Sequence, residues 1–191
     1  MRSFAFALLA ATVFATPALA QDTAPFTGAR VEGIIGWDQL RNNGKDDGVL
    51  YGIGAGYDVQ MGSMLVGGDV EFSDSTVKQR AYDVFAAGDR LTARTGRDLY
   101  VGARVGGVIG DRTLLYAKAG YTNARAKLAY DDGASGEDNF RDHVNLDGIR
   151  LGVGAEYAIG PNSFIKAEYR YSNYEQGFSR NQALAGFGFR F

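Results

Sequence analysis

The chain has 191 residues, 46% of them apolar, with 27 glycines, 3 prolines, no cysteine and a formal net charge of -2. A chain without cysteine forms no disulfide, thiolate metal centre or lipidated amino-terminal cysteine, and this charge balance gives no reason for a nucleic-acid partner. Beyond Ala20 no stretch approaches the ~18 consecutive apolar residues of a membrane helix, which leaves a soluble domain or a barrel.

The opening "MRSFAFALLAATVFATPALA" has one Arg, an apolar run from Phe4 to Phe14 and Ala18-Leu19-Ala20 before Gln21. Those are the parts of a secretory signal peptide. Residues 1–20 are therefore expected to be cleaved between Ala20 and Gln21, leaving one domain over 21–191.

The rest of the chain alternates with a period of two, the mark of two-faced strands. "TGARVEGIIGWD" sets Ala29, Val31, Gly33, Ile35 and Trp37 against Arg30, Glu32, Ile34, Gly36 and Asp38. "GVLYGIGAGYDV" sets Val49, Tyr51, Ile53, Ala55, Tyr57 and Val59 against Leu50, Gly52, Gly54, Gly56 and Asp58, and "SMLVGGDVEFS" sets Val66, Val70 and Phe72 against Asp69 and Glu71. In "DLYVGARVGG" Leu99, Val101, Ala103 and Val105 oppose Asp98, Tyr100, Gly102 and Arg104; in "TLLYAKAGYT" Leu115, Ala117, Ala119 and Tyr121 oppose Tyr116, Lys118 and Gly120. "GIRLGVGAEYAI" sets Ile149, Leu151, Val153, Ala155, Tyr157 and Ile159 against Arg150, Gly152, Gly154 and Glu156. "SFIKAEYRYSN" sets Ile165, Ala167, Tyr169 and Tyr171 against Lys166, Glu168 and Arg170, and the final strand runs through Phe187, Phe189 and Phe191.

Short turns at "DVQMGS", "GVIGDRT" and "AIGPNS" alternate with longer polar stretches over 42–47, 73–97, 123–145 and 175–182, which are expected to be loops. About eight strands of ~10 residues, each rising roughly 25 Å at ~40° tilt, describe an all-β, eight-stranded antiparallel up-and-down transmembrane barrel. The apolar faces carry their aromatics near the strand ends. Trp37, Tyr51, Phe72, Tyr121 and Tyr171 fall toward the long-loop rim; Tyr57, Tyr157, Phe189 and Phe191 fall toward the short-turn rim. Two such girdles favour a membrane barrel over a soluble lipocalin-like one. Val101 and Leu151 are placed near mid-membrane, with Gly102 and Gly152 facing inward.

The inward faces are mixed in sign. Arg30, Arg104, Lys118, Arg150, Lys166 and Arg170 oppose Glu32, Asp69, Glu71, Glu156 and Glu168. Inside so narrow a barrel these charges must pair or be hydrated, which predicts a plug instead of an open channel. Catalysis has little support, because His143 is the one histidine. The acidic groups "KDDG" and "YDDGASGED" lack the ligand spacing of a calcium loop, so no metal or cofactor is expected.

The cleavage site, the glycine-alternating strands "YGIGAGYD" and "IRLGVGAEYAIG", the strand "FIKAEYRYSNY" and the ending "GFGFRF" resemble the small Gram-negative outer-membrane barrels of the opacity-porin and outer-membrane immunogenic protein type. The resemblance implies an integral envelope protein, structural, adhesive or immunogenic, with extracellular loops. It implies that Phe187, Phe189 and Phe191 form the carboxy-terminal signal read by the barrel assembly machinery. Outer-membrane lipid and lipopolysaccharide would surround the wall, and an extracellular ligand would meet the loops. A lipid A deacylase barrel would carry Ser two positions after His143, where this chain has Asn145. The alternatives are a small-solute diffusion porin and, more remotely, a soluble periplasmic binding barrel.

Overall fold

The computed structural model describes residues 25–42, 44–82, 90–131, 140–175 and 179–191. The expected cleavage point at Ala20 and Gln21 lies outside them. Nine strands are present among the described residues: β1 (Gly28–Asn42), β2 (Gly44–Met61), β3 (Met64–Ser75), β4 (Lys78–Tyr82), β5 (Arg90–Ile109), β6 (Thr113–Asp131), β7 (Phe140–Ala158), β8 (Ser163–Tyr174) and β9 (Ser179–Arg190). All pairings are antiparallel, each strand beside its sequence neighbour, and β3 also pairs β5 from Met64↔Gly107 to Ser73↔Asp98. β1 and β9 close the ring from Arg30↔Arg190 to Arg41↔Ser179. β4 continues the stave of β3 past a break at Thr76 and Val77, so the closed barrel has eight staves. Closure leaves no sheet edge within the ring.

At one rim the hairpins are tight. Gly62 and Gly110 turn the chain at φ 63° and 62°, a left-handed conformation that glycine adopts without steric cost. The start of β1 and the end of β9 meet at the same rim. A Cβ on Gly28 would collide with the Phe191 carbonyl, while the Phe191 N–H donates to the Ala29 carbonyl (2.8 Å) and the Arg190 N–H to that of Asn162 (2.8 Å). The aromatic ending is tied into the wall, with Phe187 and Phe189 edge to face at 5.1 Å.

At the other rim the strands run far beyond the ~10 residues expected. β5, β6 and β7 are 20, 19 and 19 residues long, and β1 meets β2 up to Asn42↔Gly44. Much of what the sequence reads as loop, over 42–47, 73–97, 123–145 and 175–182, is paired strand; residues 43, 83–89, 132–139 and 176–178 lie outside the described residues. The sequence criterion was one apolar and one polar face, a contrast the membrane enforces. Above the membrane, backbone pairing continues without it.

Burial alternates as the periodicity predicts, but inside out relative to a soluble domain. β8 reads intermediate, then strictly buried and exposed in turn, with Lys166, Glu168 and Arg170 among the buried positions. Ile35, Ile53, Val70, Val101, Leu151 and Val153 are exposed, while Arg30, Arg104, Arg150 and Arg170 are almost wholly buried. The register corrects one height: Val101 lies opposite Tyr121 and Leu151 opposite Tyr171, beside the upper aromatic ring, leaving Val153 nearer the middle of the apolar band.

Candidate functional site

Two surfaces carry the charge: the barrel lumen and the outward wall above the aromatic ring. Among the described residues the lumen buries eight cations, Arg30, Arg104, Lys118, Arg150, Lys166, Arg170, Arg180 and Arg190, with eight anions, Glu32, Asp38, Asp58, Asp69, Glu71, Asp98, Glu156 and Glu168. They stack in three linked layers.

Nearest the short turns, Asp58 is shared. Arg30 Nε donates to it at 2.9 Å, Arg104 Nε at 2.8 Å and Arg190 at 3.2 Å, while Arg104 and Arg190 also reach Glu156 at 3.1 and 2.6 Å; Arg30 pairs with Asp69 as well. Below this layer Phe26, Leu65, Leu114 and Tyr116 form an apolar floor, and the Arg190 guanidinium lies over the Phe26 and Phe164 rings at 5.2 and 5.4 Å. A gap of ≈ 10 Å³ remains beside Phe26, Glu156 and Arg190, at the lower limit for one water.

In the middle layer Lys118 pairs with Glu71 (2.5 Å) and Glu168 (2.9 Å), Lys166 with Glu32 (2.5 Å), and Arg170 with Glu71 (2.6 Å). The Tyr116 hydroxyl donates to Glu168 at 2.7 Å. Arg170 Nε then donates to Gln182 Oε1 at 2.6 Å, and the Gln182 amide to Asp38 at 3.0 Å, which leads to the upper layer. There Asp98 receives Arg150 (2.5 Å), Arg180 (3.0 Å), Thr122 (2.6 Å) and Tyr174 (3.0 Å), and Arg180 pairs with Asp38.

The inward glycines are sockets for these long side chains. A Cβ on Gly54 would stand 2.8 Å from Glu32 Oε1, one on Gly56 2.6 Å from Arg30 Nη2, and one on Gly154 2.6 Å from the Tyr116 hydroxyl. Tyr100 OH, Ser73 Oγ and Arg150 Nη1 are buried without a protein partner. Buried polar atoms of this kind are satisfied by ordered water where protein groups do not reach them.

Every interior charge named from the sequence, Arg30, Glu32, Asp69, Glu71, Arg104, Lys118, Arg150, Glu156, Lys166, Glu168 and Arg170, occupies a buried position. Sequence reasoning missed the Asp38–Arg180 pair and Gln182. It assigned 175–182 to a loop, whereas β9 begins at Ser179 and turns Arg180 and Gln182 inward. Outward polar Ser179 and Asn181 had hidden that alternation. Trp37, Tyr51, Tyr57, Phe72, Tyr121, Tyr157, Tyr171, Phe187, Phe189 and Phe191 are all exposed on the outer wall. His143 is not in a loop; its backbone pairs with Lys127 in the extension of β7.

Just above Tyr121 the outer wall turns polar. The Tyr121 hydroxyl (2.5 Å) and the Asn123 amide (2.6 Å) donate to Asp147 Oδ1, and Arg125 Nε to Asn145 Oδ1 at 3.1 Å. Asp147 lies beyond the apolar band, and the bonds from Tyr121 and then Asn123 hold its carboxyl below the ordinary value. Around the ring the Tyr169 hydroxyl donates to Asn181 (2.7 Å) and the Gln39 amide to Asp47 (3.1 Å).

A wall apolar outside, charged inside and ringed by aromatic then polar residues describes a barrel solvated by lipid. The outer membrane protein beta-barrel domain model matches residues 6–191. The chain belongs to that family. It is 31% identical over 131 residues to the 31 kDa outer-membrane immunogenic proteins of Brucella melitensis and Brucella suis, a match covering 66% of this chain. The chain spans about half the length of those relatives, 54%. Among solved structures, Ail, the attachment invasion locus protein of Yersinia pestis, in complex with the heparin analogue sucrose octasulfate, superposes with TM-score 0.57 at 19% identity, covering 86% of this chain and 99% of that one. Neisserial surface protein A superposes with TM-score 0.59 at 18% identity, covering 86% and 98%. At these identities the likeness establishes the fold, an outer-membrane barrel, and the chain is an outer-membrane protein.

Proposed function

We propose that this outer-membrane barrel is a structural and surface-interaction protein whose body is a closed stave and whose working parts are its extracellular strands. The observation that carries this is the lumen: charges balanced eight against eight and linked through three layers across an eight-stranded interior. An interior of that width is filled by side chains. Neither a diffusion path nor a catalytic constellation is supported by this arrangement, since the titratable groups of the lumen are engaged with one another. The immunogenic relatives from Brucella favour surface exposure. The runner-up is a small-solute porin, favoured only by the hydrated polar lining.

Planar-bilayer recording on refolded monomer decides between them. Rare, small events are expected; frequent, stable, large openings would give the role to diffusion. We also infer that residues 1–20 are a cleaved export signal and that the assembly machinery reads Phe187, Phe189 and Phe191. Deleting Phe191 should then lower the folded, heat-modifiable fraction in cells while detergent refolding of the purified chain proceeds. Equal loss in both settings would make Phe191 an ordinary stability residue.

A further inference from the structure

Ahead of β1 the chain does not run straight out of the barrel. Pro25 and Phe26 form a turn, Thr27 follows it, and the ladder of β1 begins at Gly28↔Asp58. Gly28 stands at φ 131°, a conformation that glycine adopts readily and side-chain-bearing residues rarely do. The bend at Gly28 folds 25–27 back across the short-turn mouth of the lumen, and Phe26 ends up 1% exposed in the lumen floor.

The seat of that ring is assembled from widely separated staves. Leu65 comes from β3, Leu114 and Tyr116 from β6, and the Arg190 guanidinium of β9 covers the ring at 5.2 Å. One side chain therefore spans the mouth directly beneath the layer in which Arg30, Arg104 and Arg190 share Asp58. The gap of ≈ 10 Å³ has Pro25 and Phe26 on one side and Glu156 and Arg190 on the other. The turn at 25–26 is thus part of the boundary between this layer and the solvent below. An apolar constriction at such a place excludes water without any covalent closure.

What holds the segment down is slight beside what holds the wall. Both of its side-chain hydrogen bonds involve Gln60: the Phe26 N–H donates to Gln60 Oε1 at 3.1 Å, and the Gln60 N–H donates to Thr27 Oγ1 at 2.9 Å. The Gln60 amide is itself steadied by donating to the Gly62 carbonyl at 2.8 Å. Neither bond to the segment belongs to a strand ladder. A stretch held by one buried ring and one neighbouring residue opens at a lower free energy than strands paired along their whole length.

We propose that 25–27 is a strap that closes the short-turn mouth of the lumen, the periplasmic one in an outer-membrane barrel, with Phe26 as its stopper, Gly28 as its hinge and Gln60 as its catch. Seated, the strap keeps periplasmic electrolyte away from the lowest ion-pair layer. Lifted, it admits water and salt to that layer while the wall stays closed. The inference rests on the closed-lumen reading given above.

The chain has no cysteine, so a single introduced thiol reports access to one place. Leu114→Cys reports on the floor beside Phe26. Ala124→Cys, buried with Leu146 and Tyr174 at the level of Asp98, reports on the opposite end. Each is placed in the refolded full chain in detergent and treated with a charged, water-soluble methanethiosulfonate. Adding Phe26→Ser should make Leu114→Cys react at least about tenfold faster and leave Ala124→Cys unchanged, while Gln60→Leu should give a smaller acceleration at Leu114→Cys only. Phe26→Ser should also make the urea midpoint fall more steeply with added salt than in the wild type, because screening reaches pairs that solvent reaches. Heat-modifiable mobility verifies folding, and if Leu114→Cys fails it, Ala158→Cys, which lines the same gap, takes its place. An unchanged rate at the floor in either variant, or equal acceleration at Ala124→Cys, would overturn the proposal. Frequent, large openings of the wild type in planar bilayers would instead overturn the closed lumen itself.

Discussion

Arginine scanning along the outward face of β7 tests how deep each position sits in lipid. The outward residues are Ile149, Leu151, Val153, Ala155 and Tyr157, with Ile159 just past its end. Each step of two residues advances about 6.6 Å along the strand, or about 5 Å of height at ~40° tilt, so the six span roughly 25 Å, the apolar band of an outer membrane. Val153 lies two steps below Ile149, near the middle, and is 58% exposed between Ala117 and Tyr169. Val153→Arg should cost about 2–4 kcal/mol, Ile149→Arg at the rim about 0–1, and Leu151→Arg, beside Tyr171, an intermediate amount. With a urea slope of about 1–3 kcal/mol/M, the Val153 variant should lose on the order of 1–2 M in midpoint at unchanged slope. Reversible urea unfolding in phospholipid vesicles measures this. Gly152→Ala supplies the inward control, since its Cβ would stand 3.1 Å from Lys118 Cγ and the penalty would come from packing. An unchanged midpoint for Val153→Arg would refute the lipid-facing assignment, and equal losses at Ile149 and Val153 would refute the depth assignment.

Within the lumen, Arg104→Met removes one of the two arginines shared by Asp58 and Glu156 and should cost about 3–5 kcal/mol in the same assay, because it leaves that buried layer with one carboxylate charge uncompensated. A loss below ~1 kcal/mol would mean that water screens that layer. At the upper rim, Tyr121→Phe removes the first bond that lowers the Asp147 pKa, so its titration, followed by carboxyl NMR, should move up. The sign follows from linkage: a depressed carboxyl stabilises the fold above its unfolded pKa and loses that contribution as pH falls through the folded value. An unmoved Asp147 titration would show that the Tyr121 bond is absent in solution.

The wall was legible because lipid and lumen demand opposite residues at alternate positions, so Ile165, Lys166, Ala167 and Glu168 already say which way each Cα points. The glycines were legible as space, though not as individual sockets, since which side chain crosses the lumen to Gly54 or Gly154 depends on register between strands far apart in sequence. The upper layer was half hidden: Asp98 stood on a clear strand, while its partner Arg180 sat in a stretch polar on both faces.

The strand extensions above the aromatic ring, β4 with the upper parts of β5, β6 and β7, were not legible at all, and the reason is specific. Above the membrane nothing forces one face to be apolar, so alternation no longer marks a strand, and the pattern in 78–94 is a mixture of signs until the partner strands are aligned. Parity read at Asp98 does not carry up β5 unbroken. A single bulge between Thr95 and Asp98 reverses the assignment. The same backbone defect that interrupts the alternation is what hides the upper half of β5 from a period-of-two reading.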